Sequence, residues 1–205
     1  MHPEALSEEG KKIFPSLGRF VDFYLAGGTA LSLQIGHRIS VDFDFFSPNE
    51  ISEDLLNGLK KTFADYQITV SVNNPEELTA FIKGTKITFV KYPFPLVKPL
   101  IEYEGLKISS IEEIGASKAY VIGRRGDFKD YVDLYYILSE GHSSLDEIVN
   151  LAEVKYQNEF NSRLFLEQLV YLEDIEESQL IFLKRQVTKK ELERFFNETV
   201  KSIRL

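Results

Sequence analysis

Strand-like periodicity stops near Ser110, and from there to the end of the chain every patterned segment has helical spacing. Before that point "YQITVSVN", "LTAFIKG" and "TKITFVKYP" alternate or are β-branched, and their short polar or Gly connections suit antiparallel strands. "PLIEYEGLKIS" adds a strand pair turning at Glu104-Gly105, and "RISVDFDFFS" is strand-like until Pro48 stops it. Residues 4–24 carry Phe14, Leu17, Phe20, Val21 and Tyr24 at helical spacing, which predicts a helix or two. Thr29 to Ile35 gives one or two further turns, and Leu55, Leu56, Leu59 and Phe63 mark a helix from about Ser52. After Ser110, "SIEEIGASKAYVIGRR", "DFKDYVDLYYILSEG", "SLDEIVNLAEVKYQ", "NSRLFLEQLVYLED" and "TKKELERFFNETVKSIRL" each read as a helix. The expected fold is therefore α/β (α+β). A mixed sheet with flanking helices spans residues 1–109, and a helical part over 110–205 packs against it and contributes to a cleft.

The unusual content of the first part is "FYLAGGTALSLQIGHRISVDFDFFSP". On a strand, side chains alternate faces, so Arg38, Ser40, Asp42 and Asp44 fall on one face and Ile39, Val41, Phe43 and Phe45 on the other. Two carboxylates so placed have Cα atoms about 6.5–7 Å apart, close enough to share one divalent ion. Without a cation, mutual repulsion opposes the ionisation of both. Hard oxygen ligands suit Mg²⁺ (or Mn²⁺), which keeps several waters and completes its shell with substrate phosphates. Gly27 and Gly28 allow close backbone approach, and the helix behind them offers N–H groups and a positive dipole end to an anion. Thr29 adds a hydroxyl. A triphosphate on that turn, with its metal on Asp42 and Asp44, makes one coherent site.

Composition narrows the alternatives. The 205-residue chain has no cysteine, which excludes disulfide partners and thiolate chemistry and fits a reducing cytoplasm. His2, His37 and His142 are too scattered for a zinc site. A net charge of −8 means that contact with nucleic acid must rest on a local basic patch. No segment is apolar for long enough to span a membrane, and the polar "MHPEALSEEGKK" does not read as a signal peptide.

"GGTALSLQIGHRISVDFDFFS" resembles the signature of AbiEii/AbiGii toxin-type nucleotidyltransferases, a branch of the DNA polymerase β-like nucleotidyltransferase superfamily. There, a Gly-Gly/Ser turn on a short helix precedes a strand carrying Asp-x-Asp. A second motif, Lys-Asp-x-x-Asp, is matched by "KDYVD", Lys129 to Asp133, inside "IEEIGASKAYVIGRRGDFKDYVDLYYIL". The resemblance covers roughly residues 20–140. It implies a nucleotidyltransferase-like fold and transfer of a nucleoside monophosphate from an NTP. It further implies Mg²⁺ or Mn²⁺ on Asp42 and Asp44, and catalytic roles for Asp42, Asp44, Lys118 and Asp133. Nucleotide contacts are implied for Gly27, Gly28, Thr29, Arg38, Ser40, Arg124, Lys129 and Asp130. The implied context is a toxin-like component of a bacterial toxin–antitoxin or phage-defence system, with a cognate antitoxin and an RNA (tRNA among them) or protein acceptor.

The residues of the second segment carry their own pattern. Tyr131, Leu134, Tyr135 and Leu138 make an apolar stripe, with Asp130 and Asp133 flanking it. Lys118, Arg124, Arg125 and Lys129 concentrate positive charge suited to phosphates, arginine bidentately. The same arginines also suit a helix C-terminus, and Asp127 suits a helix cap. One departure stands out. Superfamily members commonly carry a third carboxylate on a neighbouring strand to activate the attacking hydroxyl. The matching position here falls near Thr88, in a run without an acid, with Glu102 on the next strand as a possible substitute. That leaves deprotonation by Asp44 or another group, a relaxed mechanism, or a catalytically inactive nucleotide-binding sensor or partner-binding module.

Overall fold

The computed structural model describes residues 1–202, with eight α-helices and one mixed sheet among them. The first five elements are α1 (Glu8–Leu17), β1 (Tyr24–Ala26), α2 (Gly27–Ile35), β2 (Phe43–Ser47) and α3 (Leu55–Thr62). Strands β3 (Ile68–Asn73), β4 (Glu77–Ile82), β5 (Thr85–Lys91), β6 (Ile101–Tyr103) and β7 (Leu106–Ile108) complete a seven-stranded sheet of order β3-β4-β5-β2-β1-β7-β6. Pairs β2/β5 and β1/β7 are parallel, and the rest are antiparallel. Five helices follow: α4 (Ile111–Ile122), α5 (Phe128–Ser139), α6 (Leu145–Tyr156), α7 (Ser162–Val170) and α8 (Lys189–Ser202). The last residues of the sequence-predicted final helix, 203–205, lie outside the described residues. The mixed α/β fold matches the expected class.

Two compact units are present. Met1–Pro95 with Pro99–Ser109 form the sheet unit, and Leu96–Lys98 joins the residues from Ser110 onward in the helical unit. In the sheet unit, hairpin register is set by the Lys83-Gly84 turn, where φ is positive at both residues, +53° and +80°. It places Ile82 opposite Thr85, Thr79 opposite Thr88 and Leu78 opposite Phe89. Since paired residues share a face, an apolar row crosses the sheet: Leu78, Phe89, Phe45, Leu25 and Ile108, all buried. Phe45 stacks on Phe89 at 5.1 Å, and Phe20 and Phe23 each meet Phe89 edge-on at 5.0 Å. Each such ring contributes about 1.5–3 kcal/mol by leaving water. The next row along, Thr79, Thr88, Asp44 and Ala26, faces the other way.

Two expectations shift. Tyr24, placed in a helical pattern by its spacing, is the first residue of β1. Pairing with Phe46 overrides the local periodicity, and α1 has already ended at Leu17. The strand read from Arg38 begins only at Phe43. Ser40 makes an isolated bridge with Leu6, and Arg38 and Ser40 are buried in the connection.

In the helical unit, Glu113 and Lys155 form an ion pair of 2.6 Å with both side chains 1% exposed. Glu113 Oε1 also accepts from the amides of Val97 and Lys98 at 2.6 and 2.8 Å, which ties that short strap to α4. Removing one partner of a buried pair strands the other charge. Glu113→Ala is therefore expected to cost about 3–5 kcal/mol in urea unfolding monitored by circular dichroism; a loss below about 1 kcal/mol contradicts the pairing.

Candidate active site

The turn from β1 into α2 is built around Gly27. Its φ is +65°, a conformation that costs an L-residue about 1–2 kcal/mol, and a Cβ there would lie 3.1 Å from Asp44 Oδ2. Strand pairing causes this closeness, because Ala26 is the register partner of Asp44. Ala26 is also the N-cap of α2 and has no side chain able to cap it. The helix therefore begins without a cap from its own N-cap side chain, with its positive dipole end next to a carboxylate.

Asp42 and Asp44 are half-buried, alternating with buried Phe43 and Phe45. Lys86 of β5 lies 3.8 Å from Asp42 Oδ2. Among the described residues no group of three or more His, Cys, Asp or Glu side chains could hold a metal. Two oxygen donors beside a glycine turn nonetheless fit Mg²⁺ or Mn²⁺, whose shell is completed by water and phosphate.

Thr29 and Ser40 do a different job from the one the sequence suggested. The Thr29 hydroxyl is buried, bonded to the Asp42 carbonyl and 2.7 Å from Ser40 Oγ. It fastens α2 to Asp42, just before the acidic strand. Arg38 is likewise buried, with Nη1 donating to the Ile39 carbonyl at 3.3 Å.

Thr88 is the register partner of Asp44. Glu102 is displaced from it: β6 lies three strands from β2 in the sheet, and Glu102 is exposed opposite Lys107. An acid that sequence reading missed does stand nearby. Glu77 at the start of β4 accepts from Thr79 Oγ1 at 2.6 Å, and Thr79 Oγ1 is 3.3 Å from Thr88 Oγ1. The signal was available in the Lys83-Gly84 turn, whose register places Thr79 beside Thr88.

In the helical unit, Lys118, Asp130 and Asp133 come together as a buried cluster. Lys118 Nζ lies 2.7 Å from Asp130 Oδ1 and 2.7 Å from Asp133 Oδ2, with side chains 8%, 9% and 0% exposed. This charge is compensated within the unit and ties α4 to α5, where sequence reading had it facing phosphates. Burial and the Asp130 charge push the Tyr131 phenol up to about 12, so it stays protonated and donates to the Gln168 carbonyl at 3.1 Å. Arg124 stacks on Tyr120 at 3.7 Å and donates to the Glu159 carbonyl at 2.6 Å. Lys129 is exposed, 3.5 Å from Asp127, which caps α5. Arg125 lines a hollow of about 450 Å³ whose other walls include Asp127, Asp174, Glu176 and Glu177, an acidic setting.

The fold defines the class. Two solved structures from Helicobacter pylori share it: one described as a putative nucleotidyltransferase, with TM-score 0.56 and 21% identity, covering 95% of this chain and 96% of that one. The other is the JHP933 structure, with TM-score 0.52 and 19% identity, covering 80% and 90%. The model of the family described as "Nucleotidyl transferase AbiEii toxin, Type IV TA system" matches residues 16–203, and the chain belongs to that family. An uncharacterized protein of Aquifex aeolicus (strain VF5) is 32% identical over 188 residues, 91% of this chain and 90% of its own length.

Two substitutions separate site geometry from scaffold. Gly27→Ala is expected to keep the fold by circular dichroism while its strained φ and the contact with Asp44 Oδ2 lower Tm; an unchanged Tm contradicts the close approach. Lys118→Met removes the cation held between the Asp130 and Asp133 carboxylates and is expected to cost about 3–5 kcal/mol in urea unfolding. A full-stability Lys118→Met protein contradicts the buried cluster.

Proposed function

We propose that this chain transfers a nucleoside monophosphate from an NTP to a hydroxyl of an RNA acceptor, tRNA being a candidate, as the toxin of a toxin–antitoxin pair. A protein acceptor is the other possibility carried by the same chemistry. The observation that carries the reading is the glycine turn of α2 set against the Asp44 carboxylate, 3.1 Å from where a side chain at Gly27 would begin. The helix N-terminus attracts the phosphates, and the carboxylate beside it suits the cation that accompanies them.

In this reading Asp42 and Asp44 hold Mg²⁺ or Mn²⁺. Held there, the ion would supply charge neutralisation at the triphosphate. The amides of Gly27, Gly28 and Thr29 receive the phosphates, while the Thr29 hydroxyl keeps α2 and Asp42 in fixed relation. Preorganised donors of this kind lower the barrier because they need no rearrangement as charge develops. Lys118, Asp130 and Asp133 hold the α4–α5 junction within the helical unit. Family membership supports the toxin context and an antitoxin partner. Among the described residues no helix is long and apolar enough to cross a membrane.

The test is to incubate the protein with Mg²⁺, each α-labelled NTP and total bacterial tRNA, and in parallel without RNA. Label is expected on tRNA, and an Asp42→Asn/Asp44→Asn protein is expected to lose more than about 10³-fold of the rate. Transfer that survives the double substitution overturns the metal assignment. NTP binding without any transfer, to RNA or to protein, overturns the enzyme reading in favour of a nucleotide sensor.

A further inference from the structure

We infer that Thr88, Thr79 and Glu77 form a hydroxyl relay that removes the proton from the attacking acceptor hydroxyl, replacing the carboxylate that β5 lacks. The inference rests on the nucleotidyl-transfer reading above.

Three adjacent strands bring the groups into line. Thr88 sits beside Asp44 across the parallel β2/β5 pair, and Thr79 sits beside Thr88 across the β4/β5 hairpin. Register partners share a face, so both hydroxyls project to the side of the sheet that carries Asp44. Glu77 is two residues before Thr79 on the same strand, hence on that face as well. Its backbone is anchored: Asn74 Oδ1 accepts from the amides of Glu76 and Glu77, each at 2.8 Å.

Direction follows from valence. An ionised carboxylate only accepts, so the single proton of Thr79 is committed to Glu77 across the short 2.6 Å contact. With that proton committed, Thr88 Oγ1, 3.3 Å away, can donate to Thr79 and accept from a third group through its lone pairs. That third group is the acceptor hydroxyl. Thr79 and Thr88 are only 6% and 8% exposed, so the hydroxyls bond each other in place of water. Glu77 is half-buried and reaches solvent at the far end.

The step balances. The acceptor oxygen forms a bond to the α-phosphorus as the bridging bond to the β-phosphate breaks, and pyrophosphate leaves with that electron pair. The acceptor proton passes to Thr88 Oγ1, the Thr88 proton to Thr79 Oγ1, and the Thr79 proton to the Glu77 carboxylate, which returns it to water. No further reactant is needed.

Thr88→Val, Thr79→Val and Glu77→Gln test the relay, with Thr88→Ser and Thr79→Ser as conservative variants. Valine keeps the shape of threonine without the hydroxyl, and glutamine keeps an acceptor for Thr79 without a basic oxygen. The readouts are kcat and KM for α-labelled NTP with Mg²⁺ and total bacterial tRNA, and the rise in Tm caused by Mg²⁺–NTP. Each disabling variant is expected to lose about 10²-fold or more in kcat, with KM and the Tm rise kept. The serine variants are expected to stay within about 3-fold of wild type, and Glu77→Gln/Thr88→Val to be no worse than either single change, as for groups acting in one chain. A wild-type kcat in Glu77→Gln or Thr88→Val overturns the relay and leaves the transferase reading standing. So does a loss of kcat matched by loss of the Tm rise, which marks a structural role. A wild-type protein that raises its Tm with Mg²⁺–NTP yet transfers no label overturns both.

Discussion

The pairing of β1 with β2 governs the rest of the site. A sheet allows one register at a time, and slipping by one residue would turn Asp44 into the core and Phe45 out of it. The buried row Leu78, Phe89, Phe45, Leu25 and Ile108 holds the register against that slip. Once it is held, Ala26 must lie opposite Asp44, and the residue after Ala26 must pass within reach of the carboxylate. Glycine at position 27 suits both features, a φ of +65° and a Cβ position that would press on Asp44 Oδ2 at 3.1 Å. Core packing on one face of the sheet thus sets the geometry of the polar row on the other.

Charge is handled in opposite ways in the two units. In the sheet unit Asp42 and Asp44 stay half-buried, with Lys86 3.8 Å from Asp42, an arrangement a divalent cation can enter. In the helical unit Lys118 and Lys155 are buried against carboxylates at 2.6–2.7 Å. Such pairs offer little net stability over apolar packing, but breaking one is costly. They specify how α4, α5, α6 and the Leu96–Lys98 strap go together.

Much of this was legible in the sequence. The switch of periodicity at Ser110, the strand runs from Tyr66 to Ile108 and the glycine turn before Asp42 and Asp44 are local signals, and local signals survive without tertiary information. Thr88 as the place of the absent acid was also readable, from the family pattern. What the sequence does not show is long-range pairing: Tyr24 has helical spacing but pairs with Phe46, Arg38 and Ser40 are buried in the connection before β2, and Lys118 pairs with Asp130 and Asp133. Glu102 looked adjacent because β6 follows β5 in sequence, but β6 lies at the opposite edge of the sheet. Glu77 was overlooked although the Lys83-Gly84 turn fixes its hairpin, because its importance appears only when β5 is placed beside β2.

The central claim is that the glycine turn and the two aspartates form one metal–triphosphate site. Its most direct test is the anomalous difference map of crystals grown with Mn²⁺ and a non-hydrolysable NTP analogue. A manganese peak bonded to the carboxylates of Asp42 and Asp44, with the triphosphate on the amides of residues 27–29, is the predicted result. A nucleotide bound elsewhere, or manganese away from both aspartates, contradicts it.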